Sequence, residues 1–519
     1  MAKKNKKLII HFGAVALDFE GLLLNDFEYV WQSDPSVPPV KDKPLLEMGR
    51  LNRYYQDALF LLDETSPWID DETVLTALPA NQILCDNAVR MSARCEDILD
   101  LKGTFRFDFK DLRSMAEQIN YSFFGGQDGY RIKSDAFTIA PNFTGNLRQM
   151  GHVYHQFEVD FDAKWRLTAY PNISQWVPGH IQDLVLVDFD RLDDSVHIKA
   201  VLNQYDTETN EILKTDELVD DDLKHGFLAQ GGKHGIDLQL LIFTSGKGRL
   251  RIGQFHLRRS RAKFDEFFLN GRRLIDPSGM NTELATYFDA GDLKPPLTVY
   301  FSGYRPAEGF EGNYMMRSMG APFLLFTDTR LEGGAFYLGS HAIQEEVLTV
   351  IKETLKRLHF KSNELILSGL SMGSFGALYY GARLAPDAIV VAKPLVNIGS
   401  IAAGTHLTRP SGFATSLDML MLFEGDLERT EELNQTFWKV FKSGNFSKTT
   451  FAIAYMMNDD YDINAFPDIR QYLKTSEPTA RILSKGIPGR HNDDTNTITR
   501  WFLMQYRHLL EQQYGRHFN

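Results

Sequence analysis

The chain has 519 residues, 43% hydrophobic and 12% aromatic, enough for about three domains with ample cores and unlike a disulfide mini-protein or a disordered tail. Lys plus Arg number 56 against 68 Asp plus Glu, and the resulting net charge of −12 argues against a duplex nucleic-acid binder, which needs a basic face. Cys85 and Cys95 fall in a stretch that reads as helical, so neither a disulfide scaffold nor a CxxC zinc site is available, and a reducing compartment is expected.

At the amino terminus, lysines precede an apolar run, but His11 interrupts it and Asp18 and Glu20 follow, so the segment reads as a first β-strand rather than a secretion signal. No stretch reaches about 18 uninterrupted apolar residues, and a soluble, cytoplasmic protein is expected. Residues 1–135 alternate short apolar runs (KKLIIHF, DALFLLD, QILCDN) with helix-like segments, the pattern of a small α/β domain. The SFFGGQDG loop, 122–129, reads as a plain turn.

From 148 to 262 the runs become strand-length and several alternate at period two, which predicts an antiparallel β-sandwich. Its texture, above all in the closing GRLRIGQFHLRRSR segment, resembles carbohydrate-binding jelly rolls. Trp165, Tyr170, Trp176 and Tyr205 are the aromatics available to stack on a sugar; the plainer reading puts them in the core or an interdomain contact. The basic stretch LRRSRAKFDEFFLNGRR, 257–273, offers either a patch for anionic lipid or an ordinary linker.

Residues 275–519 contain nearly continuous apolar runs separated in several places by helix-length segments: LTVYFSGY, PFLLFTD, ELILSGLS, AIVVAKPLV and TFAIAYMM. Strands buried on both faces have this appearance, so a mostly parallel, doubly wound α/β sheet of the hydrolase type is predicted. Within it, Gly369, Ser371 and Gly373 form G-x-S-x-G between a predicted strand and a predicted helix, the setting of a nucleophile elbow.

A serine hydroxyl needs a base to take its proton and an acid to orient that base, in the chain order Ser, acid, His for this fold. Three histidines follow the last predicted strand. His491 occupies a loop, whereas His508 falls inside the final helix and His517 in the terminal tail, so His491 is the candidate base. The acid belongs to Asp459, Asp460 or Asp462: strand counting from Phe451 favours Asp459, one residue more favours Asp460, and Asp462 caps the next helix or faces solvent. Donors for an oxyanion are expected from the N–H of Met372 and from Gly303 or Tyr304 at the end of a buried strand. Gly333 and Gly334 form a turn near the same sheet edge. No metal site and no tightly bound cofactor are expected.

TDTRLEGGAFYLGS, ELILSGLSMGSFGALYYG, AYMMNDDYD and the GIPGRH loop together closely resemble the second of the accessory Sec system proteins of Gram-positive bacteria. The resemblance implies a cytoplasmic protein, in peripheral membrane contact through its complex. Its implied partners are two sister accessory Sec proteins, a SecA-type motor ATPase, an alternative SecY-type channel and a glycosylated serine-rich-repeat adhesin. It further implies O-acetylation of N-acetylglucosamine on that adhesin, with Ser371 as nucleophile and His491 as base. The family's acid is Glu in some members, so the choice among the three aspartates stays open. A carbohydrate esterase and a non-catalytic scaffold of the export complex are the competing readings.

Overall fold

The computed structural model describes residues 6–172, 175–277, 280, 282–407, 415–426 and 428–518; Lys3 and Lys4, ahead of the first strand, lie outside them. The first sheet has five parallel strands in the order Phe27–Gln32, Lys7–Phe12, Leu59–Leu62, Ile83–Asp86, Phe105–Phe107. Helices Glu72–Ala77, Ala93–Leu101 and Leu112–Ser122 each begin at an Asp or Ser whose side chain accepts a backbone N–H, which satisfies an otherwise orphaned donor. The helical reading of the cysteine stretch needs correction. Cys85 lies on the buried ILCD strand and Cys95 on the helix after it, both as free thiols. A four-residue apolar run is too short for a helix but matches a strand covered on both faces.

The second sheet has eleven strands organised around one 24-residue strand, Ile236–Arg259. In the sequence, IDLQLLIFTSG and LRIGQFHLRR read as two separate strand-length runs divided at glycines. The structure instead bends the single strand there, so that its first half pairs with Val196–Asp206 and its second with Gln182–Arg191 and Tyr154–Asp160. Gly246, at φ +81°, lies where a Cβ would come 2.1 Å from Ser195 O, so only glycine lets the strand pass from one layer to the other. Val187, Phe189, Leu202, Ile242, Leu250 and Phe255 from the two layers share one core, which makes the unit a β-sandwich. Trp165 and Trp176 do not fill that core; they are exposed on the surface.

The third sheet carries the site. Its strands are β1 (Arg272–Ile275), β2 (Glu283–Asp289), β3 (Leu297–Phe301), β4 (Phe323–Asp328), β5 (Leu365–Leu370), β6 (Ala388–Ala392), β7 (Thr450–Met456) and β8 (Arg481–Ile487). The spatial order is β1-β2-β4-β3-β5-β6-β7-β8; β1 and β2 are antiparallel to their neighbours and the remaining pairs are parallel. Alternate residues serve opposite faces. Val299, Leu367, Val391 and Ile453 pack under helices α1 (His341–Arg357) and α2 (Met372–Leu384), while Tyr300, Ile366, Val390 and Ala452 pack on α3 (Thr495–Tyr514). Each fully buried Val, Leu or Ile contributes about 1.5–3 kcal/mol over exposure, which is why these runs read as continuously apolar.

The basic 257–273 stretch joins the sandwich to the third sheet, with two of its arginines packed inside. Arg258 and Arg261 are fully buried, the first paired with Glu283 and Glu308, the second donating to the carbonyls of Ser122, Phe124, Gly126 and Phe267. Among the described residues no helix is long and apolar enough to cross a membrane.

Candidate active site

β5 ends at Leu370 and α2 begins at Met372, so Ser371 alone makes the turn between them, at φ 52° and ψ −121°. Such a conformation costs about 1–3 kcal/mol for a residue with a side chain and persists only where its surroundings impose it. Here the Ser371 N–H donates to Ala392 O at 2.8 Å, and its carbonyl accepts from the Ser374 N–H at 2.9 Å and the Ser374 hydroxyl at 2.5 Å. The motif glycines are dictated by approach distance. A Cβ on Gly369 would come 2.2 Å from Gly373 O, and one on Gly373 would come 2.0 Å from Phe301 O.

The Ser371 Oγ lies 2.8 Å from His491 Nε2, and His491 Nδ1 lies 2.8 Å from Asp459 Oδ2. A carboxylate can only accept, so Nδ1 carries the ring proton toward Asp459 and Nε2 is left to accept from the serine. Burial opposes ionisation of Asp459, but His491 and the N–H groups of Tyr461 and Asp462 outweigh it and hold its carboxyl below the usual range. The Tyr461 ring meets the imidazole edge-on, with centroids 4.4 Å apart. His491 and Asp459 are buried and Ser371 is half-buried, which leaves the serine as the most accessible of the three.

The other two aspartates do different work. Asp460 accepts the backbone N–H of His491 at 3.1 Å. Asp462, expected as a helix cap or a solvated carboxylate, is buried and accepts the N–H groups of Val396 and Asn397 at 2.8 and 2.7 Å. The carboxylate thereby satisfies two backbone donors of the loop after β6. His508 lies within α3, as expected.

On the oxyanion side, Met372 is the first residue of α2, where an N–H has no intrahelical acceptor. Gly303 departs from expectation. Its N–H donates to Glu311 Oε2 at 2.8 Å, so it is committed elsewhere. Gly333 is more than a plain turn residue: a Cβ there would collide with the Tyr304 ring at 2.1 Å. Gly334 likewise leaves room for the Met372 side chain.

Three contributors escape sequence reading. Glu311 belongs to no motif. Lys393 is buried at the end of β6 with Nζ 3.3 Å from Thr495 Oγ1; burial pulls its pKa down, while the charges of Asp459 and Glu311 oppose that. A lysine closing the apolar run AIVVAK was the available signal. The third is the sandwich itself. Arg131 donates to the carbonyls of Arg305, Pro306, Thr329 and Leu331, and His256 and Arg258 grip the Glu308 carboxylate, so the loop after β3 is held from the neighbouring sheet.

Residues 41–516 match the family described as accessory Sec system GspB-transporter. The chain is 40% identical over 420 residues to an accessory Sec system protein of Staphylococcus aureus, covering 79% of this chain and 78% of that one. It is 36% identical over 416 residues to an accessory Sec system protein of Streptococcus gordonii, covering 79% and 80%. A solved chain from the glycosylation associate protein (Gap123) complex of Streptococcus agalactiae is 34% identical, with TM-score 0.86 over 99% of this chain and 100% of that chain.

Proposed function

This chain belongs to the accessory Sec system GspB-transporter family, and from that premise we propose that it is a serine-dependent O-acetyltransferase acting on glycan hydroxyls of an exported adhesin. The observation that carries the reading is the continuous relay from Ser371 Oγ through the His491 imidazole to Asp459, with both contacts at 2.8 Å. His491 Nε2 takes the serine proton as Oγ bonds to the acyl carbonyl carbon, and Asp459 stabilises the imidazolium that forms. The carbonyl oxygen becomes an oxyanion facing the Met372 N–H, and each such donor is worth roughly 3 kcal/mol in the transition state. Collapse expels the leaving group, which receives the proton from His491, and an acetyl-serine remains. A sugar hydroxyl then gives its proton to His491 and its oxygen to the acetyl carbon, and Ser371 leaves with that proton.

Transfer to an alcohol rather than water requires that water be kept from the acyl-enzyme. The Tyr461 ring against His491 and the Tyr304 ring over Gly333 favour that outcome. The substrate is N-acetylglucosamine on a serine-rich-repeat adhesin, and the chain works on the cytoplasmic side with its sister accessory proteins and a SecA-type motor. The Gap123 complex, a multi-protein assembly containing a chain of the same fold, supports the sister partners. The test is Ser371→Ala in the intact export complex: acetyl mass disappears from the purified glycoprotein while the variant melts like wild type. Unchanged acetyl mass refutes the proposal, and free acetate released from an acetylated glycan identifies an esterase instead.

A further inference from the structure

Ser374 is fully buried in the first turn of α2, three residues beyond Ser371. Its N–H and its hydroxyl both donate to Ser371 O, at 2.9 and 2.5 Å, and its Oγ accepts the Leu395 N–H at 3.1 Å. One hydroxyl therefore ties the tight turn to the loop after β6. That loop continues through the Val396 and Asn397 N–H groups to Asp462 Oδ2, and the Asp462 N–H donates to Asp459 Oδ1. The Asp459–His491 and His491–Ser371 contacts bring the path back to its start. Ser371, His491, Asp459 and the loop after β6 thus belong to one closed circuit of hydrogen bonds, and Ser374 is its link at the turn.

A peptide unit is planar, so the carbonyl of one residue and the N–H of the next share a plane and point opposite ways. The carbonyl that Ser374 grips is that of Ser371, and its plane therefore contains the Met372 N–H. That N–H has no hydrogen-bond acceptor among the described residues. The preceding plane is held separately, by the Ser371 N–H on Ala392 O at 2.8 Å. We propose that Ser374 is a positioning residue of acyl transfer: its hydroxyl, by holding Ser371 O, sets the Ser371–Met372 peptide and aims the Met372 N–H at the oxyanion. This rests on the acyl-transfer reading of Ser371. The hydroxyl touches no reacting atom; it acts through the peptide it holds. Because its oxygen accepts from Leu395 on one side, its single proton is turned to Ser371 O on the other. Alanine at 374 would keep the N–H contact but leave the plane with one restraint instead of two.

The experiment compares full-length wild type, Ser371→Ala, Ser374→Ala and Ser374→Cys on p-nitrophenyl acetate and on a fluorophosphonate, with thermal melts of each. In the second reaction Ser371 Oγ bonds to phosphorus, fluoride leaves and His491 takes the serine proton; the phosphoryl oxygen occupies the oxyanion position, so the inactivation rate reads the same donor. Ser374→Ala should lower kcat and kcat/KM together by roughly 10- to 100-fold with KM within about 3-fold, the pattern of an interaction made only in the transition state. Its inactivation rate should fall alongside, while the acid limb of its kcat/KM profile, which reports His491, keeps its midpoint. Cysteine keeps the shape with a weaker donor and should lose at least about 3-fold in kcat, which decides the matter if the Ala variant does not fold. A folded Ala variant that loses less than about 10-fold overturns the proposal alone, as does a Cys variant equal to wild type. A loss confined to KM, a loss that the fluorophosphonate does not share, or a displaced acid limb does the same. A wild type no faster than Ser371→Ala overturns the acyl-transfer reading and this proposal with it.

Discussion

The carboxylate of Asp462 accepts both the backbone N–H of Asn397, at 2.7 Å, and its side-chain amide, at 3.0 Å. Asp462 also donates its own N–H to Asp459 Oδ1 at 3.2 Å, so the turn that presents Asp459 to His491 is fastened to the loop after β6. Three aspartates within four positions thus hold three posts: Asp459 orients the imidazole, Asp460 holds the backbone of His491, and Asp462 anchors the turn.

This division predicts distinct phenotypes for the three isosteric variants. Asp459→Asn should lower kcat by about 10³- to 10⁴-fold with a normal melt, because an amide cannot hold the required tautomer. Asp460→Asn keeps an oxygen that accepts the His491 N–H and should stay within about 3-fold. Asp462→Asn turns an NH₂ group toward a cluster of buried donors and should cost about 1–3 kcal/mol of stability, with a smaller loss of rate. Steady-state kinetics and denaturant melts of the three proteins check all of this; an Asp460 variant as impaired as the Asp459 variant would show that the acid is misassigned.

Glycine at 373 is a requirement of approach. A Cβ there meets Phe301 O at 2.0 Å and Ser302 O at 3.0 Å, and backbone carbonyls cannot swing aside as a flexible side chain does. Gly373→Ala should therefore destabilise the chain by at least about 3 kcal/mol or prevent folding, far beyond the small effect of alanine at an unhindered helical glycine. Gly381→Ala is the control in the same helix, because its nearest neighbour is Ile389 Cδ1, the end of a side chain that can move. Equal urea midpoints for the two variants would contradict the steric account.

What the sequence made legible follows from what is local. The elbow could be read because strand, tight turn and helix are contiguous and only glycine tolerates the spacing, and His491 because one loop histidine follows the last strand. The choice among the aspartates was illegible, since it depends on which carboxylate faces an imidazole 32 residues away. Gly303 misled for the same reason: its donor is taken by Glu311, and nothing in EGFEGNY announces that contact. The continuous strand Ile236–Arg259 was split because a glycine that lets a strand change sheets looks identical, in one dimension, to a glycine that ends it.

The buried contact between the sandwich and the α/β sheet should give a pH-dependent contribution to stability. Burial disfavours the charged form of His256, but the carboxylates of Glu308 and Asp188 outweigh it and push its pKa up to about 9 from 6.5. Burial likewise raises Glu308, yet Arg258 and then His256 overcome it and bring its pKa down to about 2 from 4.5. A folded-state pKa above the unfolded value means that the His256 contribution is complete below about pH 6.5 and is lost as pH rises through 9; the Glu308 contribution is complete above about 4.5 and is lost as pH falls through 2. The His256 contribution, read as the stability difference between wild type and a variant without the imidazole, should therefore be greatest below about pH 6.5 and fall on the alkaline side by on the order of 3 kcal/mol. Lys7 and the buried Lys102, whose pKa values desolvation lowers to about 7 and about 8, push total stability the other way over that range. His256→Gln removes the titrating group, so its melting temperature should be lower than that of wild type at pH 6, with the gap narrowing toward pH 9. Because this cluster grips the loop that carries Tyr304, kcat in wild type should fall along the same alkaline limb while the Ser371–His491 contact remains intact. A melting-temperature difference between wild type and His256→Gln that is flat from pH 6.5 to 9 would show that the imidazole is not charged in its carboxylate cage.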